Sequence, residues 1–328
     1  MKSHKDTQDI EFVRNSRIVS ELTLVDGLLR SGKSAVGPIL GSFDRVEIIR
    51  SEPLLETIPL FYHLDKIAKD AAIALLRREI DIRLYNSMIS RNTNFRIGDF
   101  TGVFNNTNTF KYLKRLFLKD GDIVVERIKK ERPIFQAEVH DMLQFIDLYF
   151  EAFGKGLRVI EMVRHPLELL HEKNVIRYAA FLEKNSRGWQ LNIKNKKGHI
   201  PYYALGWADE FVNESPLNRA IKIVHRLTKQ MISKYESLSS SQKHQVLFIP
   251  FEKFATFPHK YLDLISNFIG SEVTGKTKQA LKKQKVPRVI DPKVKENKMK
   301  LIKEKISKEC LGILDDLINK YEQKYLIP

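Results

Sequence analysis

Apolar, β-branched residues cluster at Ile18–Val25 (IVSELTLV) and run directly into DGLLRSGKSAVGPIL, which predicts a strand, a loop and then a helix. Val46–Ile49 reads as a second short strand, at the spacing of a compact βαβ unit, so a parallel sheet is expected. From Leu54 to Leu84 the apolar positions, including Leu60, Leu64, Ile67, Ala71, Ala74 and Leu75, recur at three- and four-residue steps, the period of a helix packed outside the sheet. Residues 89–110 lose that period and are rich in Asn, Thr and Gly, which predicts a loop insertion. Val139–Phe153 reads as a helix ended by Gly154 and Gly156, Leu157–Val163 and Val246–Ile249 as buried strands, and His259–Ile269 as a helix stopped at Gly270. Met299, Ile302, Ile306, Cys310, Ile313, Leu317 and Tyr321 mark one long amphipathic helix.

These elements, with the pattern G-x-x-x-x-G-K-[ST] at Gly27–Ser34 between the first strand and the first helix, predict an α/β protein with a P-loop-type parallel sheet flanked by helices. The 328 residues form one domain, with a core over about 18–270, a mostly helical or loop insertion over 54–135 and a basic helical segment at 275–328.

Composition narrows the function. Lys plus Arg number 56 against 40 Asp plus Glu, a net charge of +16, so the chain seeks anions: nucleic acid, a membrane surface or a charged small molecule. Residues 275–305 hold twelve of those cations and three acids, Asp291, Glu296 and Glu304, a local excess of 12 − 3 = +9. Few aromatics interleave with these lysines, so the run reads as a solvated helix face and nucleic acid is not the expected partner. The single cysteine, Cys310, excludes an intramolecular disulfide framework. A polar N-terminus and the absence of any apolar run of membrane-spanning length give a cytoplasmic expectation with no transmembrane segment.

Gly27-Leu28-Leu29-Arg30-Ser31-Gly32-Lys33-Ser34 fits G-x-x-x-x-G-K-[ST] between a predicted strand and a predicted helix. Such a loop turns successive N–H groups and a helix N-terminus toward a phosphate-like group, and Lys33 adds a point charge. A nucleoside-triphosphate enzyme also needs a strand ending in an acid to hold Mg²⁺, and none of the strands read here, VEII, RVIEMV or VLFI, ends in Asp. Sulfuryl transfer, with less charge to neutralise, is favoured and no metal is expected.

The stretch from Gly27 to Leu40 resembles the 5′-phosphosulfate loop of the sulfotransferase family, matched by Arg30-Ser31-Gly32, with Lys33-Ser34 where the family has Thr-Thr or Ser-Ser. Val159–Pro166 (VIEMVRHP) is similar to the family's 3′-phosphate-binding strand, with Arg164 as the match. LFIPFEKFATFP, followed by Phe268-Ile269-Gly270, resembles a third family signature. The family commonly has a Ser eight residues after that Arg, where this chain has Glu172. The resemblance implies a donor, 3′-phosphoadenosine 5′-phosphosulfate, held by Arg30, Ser31, Gly32, Lys33, Ser34 and Arg164.

Catalysis is assigned to Glu52 as base, with Lys33 and Arg30 offsetting charge on the bridging oxygen. Ser51-Glu52-Pro53 is similar to the Glu-Pro of carbohydrate sulfotransferases, so the expected acceptor is a glycan hydroxyl. Glu56 and His63 are weaker base candidates; Arg91, Arg96, Trp189 and Trp207 are candidate acceptor contacts. Two alternatives stay open: a P-loop kinase acting on a small hydroxyl compound, and a non-catalytic basic module that binds anions through residues 276–305.

Overall fold

The computed structural model describes residues 10–170, 191–196, 198–289 and 292–326. Glu172 and Trp189, singled out above, lie outside the described residues.

Five parallel strands form the central sheet in the order β2-β3-β1-β4-β7. They are β1 (Glu21–Asp26), β2 (Arg50–Ser51), β3 (Ile134–Glu138), β4 (Leu157–Val163) and β7 (Val246–Pro250), while β5 (Asn192–Asn195) and β6 (Gly198–Pro201) pair as a separate antiparallel hairpin. Alternate residues of each central strand feed two cores, because a parallel sheet is covered on both faces. Leu22, Leu24, Phe135, Ala137, Leu157 and Val159 join the core beneath the helices Lys69–Met88, Ile146–Phe153, Pro216–Ser237 and Lys308–Tyr325. Val25, Ile134, Ile160 and Met162 face the other core, against the helices Lys33–Leu40, Phe251–Thr256 and Pro258–Ile269.

Several expectations are corrected. Val46–Ile49 is not a strand: Val46 makes one bridge to Ile134, and the ladder to β3 forms only at Arg50 and Ser51. Side chains take the intervening backbone groups, with Ile48 N donating to Tyr112 Oη (2.6 Å) and Gln136 Nε2 to Glu47 O (2.7 Å). The helical stretch 54–84 divides into Pro53–His63 and Lys69–Met88 around Asp65, whose φ is 53°. The helix read from Val139 begins only at Ile146, after a 3₁₀ turn over Met142–Phe145. The long C-terminal helix is two, Pro292–Lys303 and Lys308–Tyr325; Ser307 caps the second by accepting from Cys310 N (3.2 Å).

The insertion is tied down by Glu47, which is buried and takes both Arg115 terminal nitrogens (2.6 and 2.9 Å), Lys111 (2.8 Å) and the Ser87 hydroxyl (2.8 Å). Those cations hold the Glu47 carboxyl far below its ordinary range despite the opposing effect of burial. Among the described residues no helix is long and apolar enough to cross a membrane.

Candidate functional site

Strand register brings five carboxyl ends to one edge. Val25 lies beside Glu138 and Ile160, Asp26 beside Glu161, Ser51 beside Glu138, and Val163 beside Pro250. In an open parallel sheet this is the edge where ligands bind.

The Gly27–Gly32 loop closes over the end of β1. Gly27 has φ 134° and a Cβ there would lie 2.3 Å from Met162 O; Gly32 has φ 107° and a Cβ there would lie 2.1 Å from the Phe251 ring. Only glycine fits either position. Lys33 is buried and its Nζ donates to the carbonyls of Gly27 and Leu28, so the amine caps the loop from inside. Ser34, one residue into the helix Lys33–Leu40, turns its hydroxyl to Glu138 Oε1 (3.2 Å).

That contact overturns a premise of the sequence reading. Ile134–Glu138 is a strand that periodicity did not show, it neighbours β1, and it ends in a buried acid facing the loop serine. The only local signal was the apolar pair Ile134-Phe135 after Pro133, masked by Gln136 at its centre, which donates to Gly37 O (3.1 Å) and Glu47 O.

Beyond Glu138 stands His140, a second residue that pattern reasoning missed. Its Nδ1 lies 2.9 Å from Glu56 Oε1, its backbone N–H donates to the same oxygen (2.9 Å), and its Nε2 is 3.9 Å from Glu138 Oε1. The ring is partly exposed. Glu52 sits one residue past Ser51, preceding the helix Pro53–His63, with its carboxylate 3.2 Å from Arg83 Nε. His63 packs on the Phe145 ring, 4.8 Å between centroids.

Under the loop three more acids are buried. Asp26 accepts from the backbone N–H of Met142 (3.1 Å) and Leu143 (2.6 Å), and Glu161 reaches Asp26 through its side chain. Burial raises both carboxyls; Lys33 and the backbone donors counteract it at Asp26, while Asp26 itself adds to the rise at Glu161. Burial pushes Asp141 up to about 7, against the opposing charges of Lys33 and His140.

On the other side, Arg164 follows β4 and donates to Arg30 O (2.8 Å). Its guanidinium stands 4.8 Å from the Phe251 centroid, and Arg288 faces the same ring at 5.3 Å. Burial works against the charge on Arg164, as do Arg288 and Arg30 nearby, while Glu252 (3.9 Å) and Glu168 (3.5 Å) support it. Arg288 carried no signal in the sequence because it lies within the lysine-rich run.

The structure thus brings Arg30, Ser31, Gly32, Lys33, Ser34 and Arg164 together at one edge, with Glu52 just past the end of the outermost strand, β2. The acceptor candidates are dispersed. Trp207 is buried, edge-on to Phe211 and 4.6 Å from Arg226; Arg91 pairs with Asp120 and Arg96 with Asp99 (3.7 Å).

No family model and no curated protein matches the chain. Solved structures do. The chain is similar to the sulfotransferase domain from the curacin biosynthetic pathway (10% identity, 81% of this chain, 78% of that one, TM-score 0.43). It is also similar to the sulfotransferase domain of the Synechococcus PCC 7002 olefin synthase (13%, 97% and 93%, TM-score 0.42) and to a Mycobacterium avium sulfotransferase (11%, 99% and 80%, TM-score 0.42). The chain is an α/β protein with a P-loop-type parallel sheet. Its chemistry is read from its own side chains.

Proposed function

We propose that the protein is a sulfotransferase that uses 3′-phosphoadenosine 5′-phosphosulfate as donor. The observation that carries this reading is a second cationic position beside the loop: Arg164 and Arg288 share the Phe251 ring, and Arg164 also grips the loop at Arg30 O. A donor with phosphate groups on both its 5′ and 3′ oxygens matches two anion positions along one strand edge.

In the proposed reaction the acceptor oxygen attacks sulfur, the bond from sulfur to the 5′-phosphate oxygen breaks, and adenosine 3′,5′-bisphosphate leaves. Arg30 offsets the charge growing on that oxygen, and Lys33, whose amine is held by the carbonyls of Gly27 and Leu28, braces the loop and adds its positive charge from behind. The acceptor proton goes to a base at the edge. We assign it to His140, which Glu56 orients through Nδ1, in preference to Glu52, whose carboxylate is engaged by Arg83 and stands beyond β3 from the loop. The acceptor supplies a hydroxyl. The resemblance at Ser51-Glu52-Pro53 points to a glycan, and the buried Trp207 adds no support for stacking on a sugar.

The kinase reading has one observation in its favour, the Ser34–Glu138 pair, since a loop hydroxyl and a strand carboxylate are the groups that hold Mg²⁺ at a triphosphate. The basic-module reading is weakened because several of its lysines are used internally: Lys298 pairs with Glu168 (2.7 Å), Lys295 with Glu322, and Lys276 donates to Asn108 Oδ1 (2.6 Å). Calorimetric titration separates the readings. Binding of adenosine 3′,5′-bisphosphate in EDTA supports sulfuryl transfer; binding of ATP only with Mg²⁺, and none of the bisphosphate, overturns it.

A further inference from the structure

Two segments far apart in sequence meet at the end of the helix Lys33–Leu40 remote from the loop. Asn108 Nδ2 donates to Gly41 O (3.0 Å), and Ser42 Oγ lies 2.9 Å from Thr277 Oγ1. Across the seam between them, Lys283 Nζ donates to the carbonyls of Phe104 (3.2 Å) and Asn106 (3.3 Å), Lys276 Nζ to Asn108 Oδ1, and Gln284 Nε2 to Asn105 Oδ1 (3.2 Å). The insertion and the first stretch of the basic segment therefore form one surface.

Its charge has one sign. Residues 104–119 hold four Lys or Arg and residues 276–285 hold five Lys, 4 + 5 = 9 cations, with no acid in either stretch. Among the described residues only Lys111 and Arg115 of these pair with an acid, the buried Glu47; the lysine contacts across the seam go to neutral oxygens, which leave the charge in place. Asp99 and Asp120, the acids on either side of the insertion stretch, are taken up by Arg96 and Arg91.

The same surface carries apolar side chains in the open. In the helix Thr109–Arg115 and the turn that continues it, Tyr112 and Arg115 are buried, so at 3.6 residues per turn Phe110 and Phe117 fall on the opposite side. Phe110 is 78% and Phe117 88% exposed, with Phe104, Leu116 and Leu118 exposed as well. The lysines of 276–285 have no aromatic residue among them in sequence; the fold supplies the rings from 104–117.

Open apolar side chains set among unbalanced cations suit the boundary between lipid headgroups and acyl chains, where the rings are buried and the lysines face anionic headgroups. A second copy seated on the same face would bring like charges together across a two-fold axis. Leu116 and Leu118 give a nucleic-acid base no ring to stack on. We infer that this surface docks the protein on an anionic lipid bilayer, with Phe110 and Phe117 entering the acyl boundary, and that the Gly27–Gly32 loop, at the other end of the helix Lys33–Leu40, stays open while it is docked.

Vesicle cosedimentation of the full chain supplies the test. The chain is expected to bind phosphatidylcholine vesicles containing about 30% phosphatidylserine at least about tenfold more tightly than vesicles of phosphatidylcholine alone, and less tightly as salt is raised. Phe110→Ser combined with Phe117→Ser is expected to weaken that binding at least about tenfold with the melting midpoint unchanged, because two exposed rings leave no cavity behind. Phe117→Trp should keep the affinity, and its emission should be quenched by brominated lipid in the vesicles. Lys278→Glu combined with Lys282→Glu should weaken binding through charge alone. Equal binding to both vesicles, binding to neither, or a serine pair that binds as the parent does overturns the inference. So does a concentration-dependent dimer abolished by the serine pair, which gives the face to a second copy, or tighter binding of a single-stranded oligonucleotide than of the phosphatidylserine vesicles.

Discussion

The Ser34 hydroxyl donates to Glu138 Oε1 across 3.2 Å, joining the first turn after the loop to the end of the neighbouring strand, 104 residues away in sequence. Glu138 is 4% exposed and its second oxygen has no partner, so it stands as an acid facing the place where a donor group would sit. In sulfuryl transfer that charge opposes the donor. Glu138→Gln is expected to leave bisphosphate affinity in EDTA unchanged or to tighten it, since a like charge is removed. A loss of more than about tenfold on calorimetric titration would show that the carboxylate organises the site by holding a cation or the loop itself.

Arg288 and Arg164 share one aromatic ring, and the donor assignment depends on both. Truncating Arg288 to Ala is expected to weaken adenosine 3′,5′-bisphosphate binding by about 10- to 100-fold, the cost of a charged hydrogen bond. Adenosine 5′-monophosphate should bind the variant and the parent alike. Equal losses for both nucleotides would place Arg288 in loop support rather than at the 3′-phosphate.

The proposed base is His140, with Glu52 as its rival. His140→Asn is expected to lower the rate of sulfuryl transfer by about 10²–10⁴, the range of general base catalysis, with bisphosphate affinity intact. Glu56→Gln should give a smaller loss and shift the pH profile, because Glu56 acts through the His140 ring. If Glu52→Gln abolishes turnover while His140→Asn does not, the base is the carboxylate beyond β3.

Asp141 carries a proton in the folded chain up to about pH 7, because burial penalises its charge. An unfolded Asp releases its proton near ~3.9. Between those values the folded state binds more protons, so stability falls as pH rises through the window and levels off above it. Asp141→Asn is expected to flatten that slope, and denaturant midpoints at pH 5 and pH 8 read it out. The change across the window is at most ~4 kcal/mol, from about three pH units at 1.36 kcal/mol each. An unaltered slope would assign it to Asp26 or Glu161.

Some elements are legible wherever a local pattern suffices. The loop Gly27–Gly32, the strands Leu157–Val163 and Val246–Pro250, and the helix stopped at Gly270 announce themselves through unbroken apolar runs and glycines at positive φ. Arg164 stands at the end of such a run, and its place beside the loop was legible for the same reason. β3 did not show, because Gln136 and Glu138 are buried polar residues whose partners come from other segments: the carbonyls of Gly37 and Glu47, and the Ser34 hydroxyl. Val46–Ile49 looked like a strand, yet Tyr112 and Gln136 take its backbone groups.

The sequence by itself determined the glycine-rich loop and the class of sheet behind it, since periodicity and glycine placement act over a few residues. Only the tertiary structure decided which side chains serve that loop. Strand order sets Glu138 and His140 at its flank, and a single phenylalanine ring gathers Arg164 and Arg288 from segments 124 positions apart (288 − 164). Charge and hydrogen bonding act through space, so their partners are fixed by packing and not by neighbours in the chain.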